Sequence, residues 1–260
     1  MPRERVRFEL GDTDLPAAPA SAGSQTSASV GSAVLLAVRE ATCQLIALAV
    51  GTPASPLYGV DASRVTLIGP DLVCTADPTR RVPWVSLLRQ MSLDREFVEA
   101  ESTWTPPDTA DRSWSGWSFG AHLCEVEVDE DLGRVSVRRW VAAFAAGRIL
   151  NEKTARSQLT GAIVWGISQA LLEQTIHDDH SGHIVNANLT EYLVPVNADV
   201  PSIDISLIAE NDTLVNPLGA KGLGELGICG ASAAVANAVY HATGVRVRHL
   251  PITVDQFLDT

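Results

Sequence analysis

Apolar positions along this chain recur with two spacings. Residues 6–10, Val-Arg-Phe-Glu-Leu, alternate apolar with polar as a strand does, and "GDTDLP" follows with turn residues. In "SAVLLAVREATCQLIALAV", Leu35, Val38, Leu45 and Ala49 fall close to one face of a helix. "RVTLIG" and "DLVCT" read as short strands, and "VPWVSLLRQM" as a short helix with Pro83 near its start. From Glu99 to Trp117 the pattern is lost among Trp, Pro and Asp, which predicts an irregular surface loop.

Period-two alternation returns at Cys124, Val126 and Val128, set against Glu125 and Glu127. "DEDLG" then turns the chain, and Val135, Val137 and Arg138 continue it, predicting a hairpin. "NEKTARSQLTGAIVWGISQALLEQ" predicts a long helix. Its stripe of Leu159, Ala162, Ile163, Gly166 and Ala170 is small enough to admit another backbone, and Gln158, Gly161 and Trp165 lie beside it. "HDDHSGH" is a polar turn, "SIDISLIAE" an alternating strand, and "CGASAAVANAVYHATG" a small-residue helix stopped by Gly244. Strands and helices mix without a regular strand–helix–strand rhythm and without internal repeats, so the predicted class is α+β.

Composition narrows the function. The chain has 260 residues, 46% of them apolar, enough for real cores. A net charge of −12 argues against a nucleic-acid groove, which needs clustered Lys and Arg. "MPRERVRFEL" lacks the apolar core of a secretory signal, and no apolar run is expected to approach the ~18 residues of a membrane span. The expectation is a cytoplasmic protein that does not engage a membrane. Cys43, Cys74, Cys124 and Cys229 are too scattered for a zinc or cluster set and are expected to be free thiols, mostly buried. His177, Asp178, Asp179, His180 and His183 have the composition of a solvated turn, and no metal is assigned there.

Two stretches remain as candidate chemistry. "PASAGSQTSASVGS" is small and hydroxyl-rich. It suits a linker, or a loop whose N–H groups and hydroxyls hold an anion ahead of a helix. "GAKGLGELG" spells GxGxxG at Gly222, Gly224 and Gly227, but no convincing strand precedes it and Glu225 would repel a pyrophosphate there, so the dinucleotide reading falls. Lys221 and Glu225 are then two exposed loop charges, or the glycines let bare backbone lie against a planar ligand or metal centre with Glu225 as general base.

Six collinear segments now carry a resemblance. They are "RVRFELGDTDLP", "GSQTSAS", "SFGAHLCEVEVD", "GRILNEKTARSQLTGAIVWGISQALLEQ", "VNANLTEYLVPVNADVP" and "NPLGAKGLGELG" with the helix after it. Together they resemble the C-terminal part of the molybdenum-binding subunit of the xanthine dehydrogenase and aldehyde oxidase family, from about Arg5 to Leu258. The resemblance implies the C-terminal half of a molybdopterin-binding domain. Residues 1–98 would form its cofactor-loop, helix and strand part, 99–117 an irregular loop, and 118–260 the hairpin, long helix and catalytic loop.

It also implies roles. Glu225 would take a proton from a Mo–OH group, whose oxygen attacks an electrophilic carbon of an aldehyde or N-heterocycle while hydride passes to a Mo=S sulfur. Lys221, Gly222, Leu223 and Gly224 would pack beside the centre; Gly23, Ser24, Gln25 and Thr26 would bind the pterin pyrophosphate; Gln158 would contact the cofactor. The implied cofactor is molybdopterin, as the cytosine dinucleotide, with molybdenum. The implied partners are a chain carrying the N-terminal half of the subunit and subunits carrying 2Fe-2S clusters and FAD. Ala145 and Glu152 stand where the family commonly has Asp and Pro, which predicts local loosening around "FAAGRILNE". The family subunit is much longer than this chain, leaving a split subunit, a truncated relative or a fragment. The alternative function is a catalytically silent structural or assembly piece.

Overall fold

A computed structural model describes residues 3–91, 97–106 and 113–258. Two compact units divide the chain. One comprises residues 1–20 and 29–106; the other comprises 21–28 and 107–260, so the middle of the hydroxyl-rich segment, 21–28, groups with the C-terminal part rather than with its neighbours in sequence.

The first unit holds most of helix α1 (Thr26–Gly51), strands β1 (Val65–Ile68), β2 (Asp71–Cys74) and β3 (Arg81–Pro83), and helix α2 (Trp84–Met91). The strands form an antiparallel sheet in chain order, and Gly69, at φ +59°, turns β1 into β2. Ala49, Leu57, Leu72 and Leu87 are fully buried at its centre. Arg80 pins the loop before the sheet by donating to the carbonyls of Pro56 and Tyr58.

Four expectations change here. Residues 6–10 form no strand and are exposed, because alternation alone supplies no partner for the ladder. Helix α1 begins at Thr26, inside the stretch that also suited a linker. Of its predicted stripe only Ala49 is buried, while Val38 is 56% exposed. With 26 residues and a best-window mean hydropathy of 1.8, α1 is also long and apolar enough, by length and composition, to cross a membrane. Arg39 and Glu40 break its apolar run in the sequence, which is why no uninterrupted run of that length stands out.

The second unit is built on a mixed sheet in the order β4-β5-β6, with β4 (Phe119–Asp129) and β5 (Arg134–Ala145) as the predicted hairpin and β6 (Ser202–Leu207) parallel to β5. Asp129 accepts from the amides of Asp131 and Leu132 to close the hairpin turn, and Gly133 supplies φ +63°. A bulge between Glu125 and Val126 shifts the register. Helix α3 (Glu152–Leu171) makes the crossover from β5 to β6, and α4 (Ala231–Thr243) packs beside it. Trp140, Phe144, Leu159, Ile163, Val235 and Val239 form the core, all at 0% exposure. The small stripe on α3 serves as predicted: a Cβ on Gly166 would lie 2.3 Å from Ala231 Cβ of α4. Gly244 ends α4 at φ +76°.

The loosening expected at Ala145 and Glu152 is not found. Ala145 pairs with Phe119 as the last residue of β5. Glu152 opens α3 behind the Asn151 cap, where a carboxylate suits the helix dipole, and takes hydrogen bonds from Arg156 at 2.8 and 2.9 Å. All four cysteines are free thiols, but Cys43 and Cys229 are exposed, Cys124 is partly covered and Cys74 alone is buried. Between Glu99 and Trp117, residues 107–112 lie outside the described residues; 99–106 are irregular, as predicted.

Candidate functional site

Three segments distant in sequence meet in the second unit. The first is the turn before α1. Gly23 and Ser24 are consecutive left-handed residues, at φ +60° and +55°, and they redirect the chain so that α1 starts at Thr26. A serine in this region is strained, and such strain persists where surroundings enforce it. The enforcing contact comes from the glycine-rich loop: the amide of Glu225 donates to Ser24 Oγ at 2.9 Å. The third segment is α3, from which Gln158 Nε2 donates to the Gly224 carbonyl at 3.3 Å.

The glycines also serve the packing of the loop itself. A Cβ on Gly222 would meet Ser24 Cβ at 3.2 Å, and one on Gly224 would meet Ser24 Oγ at 2.8 Å. A Cβ on Gly227 would strike Ala162 Cβ and the Leu159 carbonyl, both at 2.8 Å. Bare backbone here lets the loop seat on the Ser24 turn and on α3. The loop is a run of turns with no strand leading into it, so the nucleotide fingerprint has no structural context.

A cleft of about 770 Å³ opens where the segments meet. Gly23, Ser24, Thr26, Gln158, Lys221, Leu223, Gly224 and Glu225 line it. Gln25 and Gly222 do not reach its wall; Gly222 is held behind it, accepting at its carbonyl from Ser118 Oγ. Sequence reasoning missed Ser21, Ser27, Arg148, Asn151, Thr154 and Trp165, which also line the cleft. Helix periodicity had placed Trp165 beside the α3 stripe; for the others, the stretches "SAGSQTSAS" and "GRILNEKTARSQ" carried the only available signal.

Lys221 departs most from expectation. Its side chain is 9% exposed, and its Nζ lies 2.6 Å from Glu210 Oε1 and 2.9 Å from Asp212 Oδ2. Burial pushes the ammonium down, but its hydrogen bonds to the carboxylates of Glu210 and Asp212 outweigh that and hold Lys221 above the ordinary lysine value. The hydrogen bond from Lys221 holds both Glu210 and Asp212 below the usual carboxylate range, aided at Glu210 by the Gly147 amide. Behind the loop, His122 on β4 accepts at Nδ1 from the Trp140 indole at 3.2 Å, and burial holds its pKa below the ordinary histidine value.

The donor set fits a phosphate-bearing ligand. Ser24 Oγ accepts from Glu225 and keeps its own proton to donate. Thr26 and Ser27 begin α1 and line the cleft, and the first turn of that helix has no acidic residue to oppose an anion at its N-terminus. Arg148 adds a cation to the lining, and Glu225 is an exposed carboxylate on the same wall. An anionic cofactor resting on the Ser24–Ser27 segment would have Glu225 beside it.

The family model for the molybdopterin cofactor-binding domain matches residues 1–201. The aldehyde oxidoreductase molybdenum-binding subunit PaoC of Escherichia coli is 37% identical over 262 residues, covering 100% of this chain and 33% of the relative. That alignment takes in the glycine-rich loop beyond residue 201. The 6-hydroxypseudooxynicotine dehydrogenase complex subunit gamma of Paenarthrobacter nicotinovorans is 36% identical over 142 residues, 54% of this chain and 18% of its own. Among solved structures, quinoline 2-oxidoreductase from Pseudomonas putida 86 superposes with a TM-score of 0.76 at 25% identity, over 90% of this chain and 30% of that one. A Cu,Mo-CO dehydrogenase shares the fold, with a TM-score of 0.83 at 20% identity over 96% of this chain and 31% of the other. The chain thus spans about a third of the length of the curated relatives that it matches along its whole length. It belongs to the molybdopterin cofactor-binding domain family.

Proposed function

We propose that this chain is the C-terminal part of a molybdenum-binding subunit in an oxidoreductase that hydroxylates an aldehyde or an N-heterocycle. The observation that carries the reading is the convergence of Ser24, Gln158 and Glu225 on one cleft through direct hydrogen bonds. The relative from Escherichia coli, an aldehyde oxidoreductase subunit, supports an aldehyde as the substrate class.

Molybdopterin with its molybdenum, when bound, supplies the redox chemistry that places an oxygen on the substrate carbon. The chain's own residues bind, orient and move a proton. Gly23, Ser24 and Thr26 offer amides and hydroxyls to the pyrophosphate, with the neighbouring Gln25 on the same turn. Gln158 fixes the carbonyl of Gly224 and so the course of the loop past the cofactor. Glu225 accepts a proton at its carboxylate as general base, a role worth on the order of 10²-fold or more in rate.

The rest of the site comes from a partner chain carrying the N-terminal half of the subunit, and electrons leave through subunits bearing 2Fe-2S clusters and FAD. The cytosine dinucleotide is the proposed form of the pterin. The setting is cytoplasmic: Thr26 and Ser27, at the start of α1, line the cleft, so a membrane-spanning α1 would carry the cofactor pocket to a bilayer surface.

The test is to purify the protein from its own cells without denaturing steps and measure molybdenum by mass spectrometry together with co-purifying chains. Near-stoichiometric molybdenum with an iron–sulfur or flavin partner is the predicted result. A metal-free protein that comes down alone contradicts it and leaves the silent structural piece as the function.

A further inference from the structure

The motif "GAKGLGELG" invites the reading of Lys221 as a cofactor contact, yet its charge is turned elsewhere. The ammonium is spent on Glu210 and Asp212, at 2.6 and 2.9 Å, with 9% of the side chain exposed. Those carboxylates lie just beyond β6, Glu210 at the end of the stretch predicted as a strand and Asp212 two residues after it. Glu210 is itself anchored, accepting from the Gly147 amide at 2.9 Å through its other oxygen.

Backbone bonds close the same junction. The Lys221 amide donates to the Ala146 carbonyl at 2.9 Å, and the Arg148 amide to the Gly219 carbonyl at 2.6 Å. Asn216, 6% exposed, donates to the Ala220 carbonyl and accepts from the amides of Leu218 and Gly219. The fit leaves no slack, since a Cβ on Gly147 would lie 2.4 Å from the Gly219 carbonyl oxygen. Four residues after Lys221 comes Glu225.

We infer that Lys221 is a positioning residue: with Glu210 and Asp212 it latches the start of the glycine-rich loop to the end of β5 and to the segment after β6, and thereby sets where Glu225 stands. The inference rests on the reading of Glu225 as the proton acceptor, but the latch itself is a property of this chain alone. A cation removed from between two carboxylates leaves them facing each other with no counter-charge, so the junction opens rather than relaxes in place.

The experiment compares wild type, Lys221→Met, Lys221→Arg and the double variant Glu210→Gln/Asp212→Asn, as full chains in their native assembly. Three readouts are taken: amide hydrogen exchange at 219–226, molybdenum content, and kcat separately from KM. Lys221→Met and the double variant are expected to speed exchange at 219–226 at least tenfold, leave the β4–β5 hairpin protected, and lower kcat more than they raise KM. Lys221→Arg, which keeps the charge, recovers much of the protection.

Unchanged exchange in Lys221→Met combined with loss of molybdenum overturns the inference and makes Lys221 a cofactor contact. A silent double variant overturns it as well. Exchange on the metal-free chain separates the two claims: a latch that responds as described in a protein that never binds molybdenum keeps this inference and removes the reading of function above it. Should Lys221→Met fail to fold, the double variant decides.

Discussion

The hydroxyl of Ser24 accepts the Glu225 amide at 2.9 Å, joining residues 201 positions apart. That bond ties the segment proposed to hold the pyrophosphate to the residue proposed to move the proton. Ser24→Ala removes the acceptor and the donor to the ligand together, keeps the strained backbone, and costs about 1 kcal/mol of loop stability. The expected outcome is lower molybdenum occupancy with the fold retained, measured by metal analysis beside far-ultraviolet circular dichroism.

Gly227 packs against the backbone of α3. A methyl there meets Ala162 Cβ and the Leu159 carbonyl, both at 2.8 Å, and neither atom is the end of a flexible side chain. Gly227→Ala should destabilise the second unit by about 1–3 kcal/mol through overpacking, seen as a lower midpoint in urea. Gly161→Ala on the same helix, where a Cβ meets nothing within 4 Å, serves as the matched control and should be neutral or slightly stabilising.

Acid should loosen the glycine-rich loop before the β4–β5 hairpin. Glu210 and Asp212 are held below their ordinary carboxylate values, so their contribution is full above about pH 5.5, where the unfolded carboxylates are ionised, and is lost progressively as pH falls through the ordinary and then the depressed values. Lys221 has the opposite sign: its raised value keeps the contribution full below about pH 10 and loses it only as pH rises further. Hydrogen exchange at 219–226 between pH 5 and 2.5 checks the acid limb. Glu210→Gln/Asp212→Asn should flatten it.

The thiols should divide by exposure. Native-state alkylation at pH 8, read by peptide mass spectrometry, is expected at Cys43 and Cys229, which are exposed, and absent at buried Cys74. Cys124 should also resist, because burial pushes its thiol up to about 12.

Periodicity made much of the fold legible. Hairpin β4–β5, helix α3 with its buried stripe and helix α4 with Gly244 all stand where apolar spacing and turn residues put them, since each buries a face against its neighbours. Residues 6–10 show where spacing misleads, because alternation without a pairing strand yields exposed irregular chain. The site was legible through short motifs: Ser24, Gln158 and Glu225 do meet. What spacing could not supply was the use of each group. The glycines serve packing, Lys221 faces Glu210 and Asp212, and Arg148 enters the cleft, all of them products of tertiary approach between segments with no sequence relation.

Glu225→Gln in the purified, molybdenum-containing assembly tests the central claim most directly. The change keeps the backbone amide that holds Ser24 and nearly the same side-chain volume, and removes only the group that accepts a proton. Turnover of an aldehyde substrate should fall by on the order of 10²-fold or more, with molybdenum content unchanged. Turnover close to wild type at equal molybdenum content would contradict the assignment of Glu225 as the base.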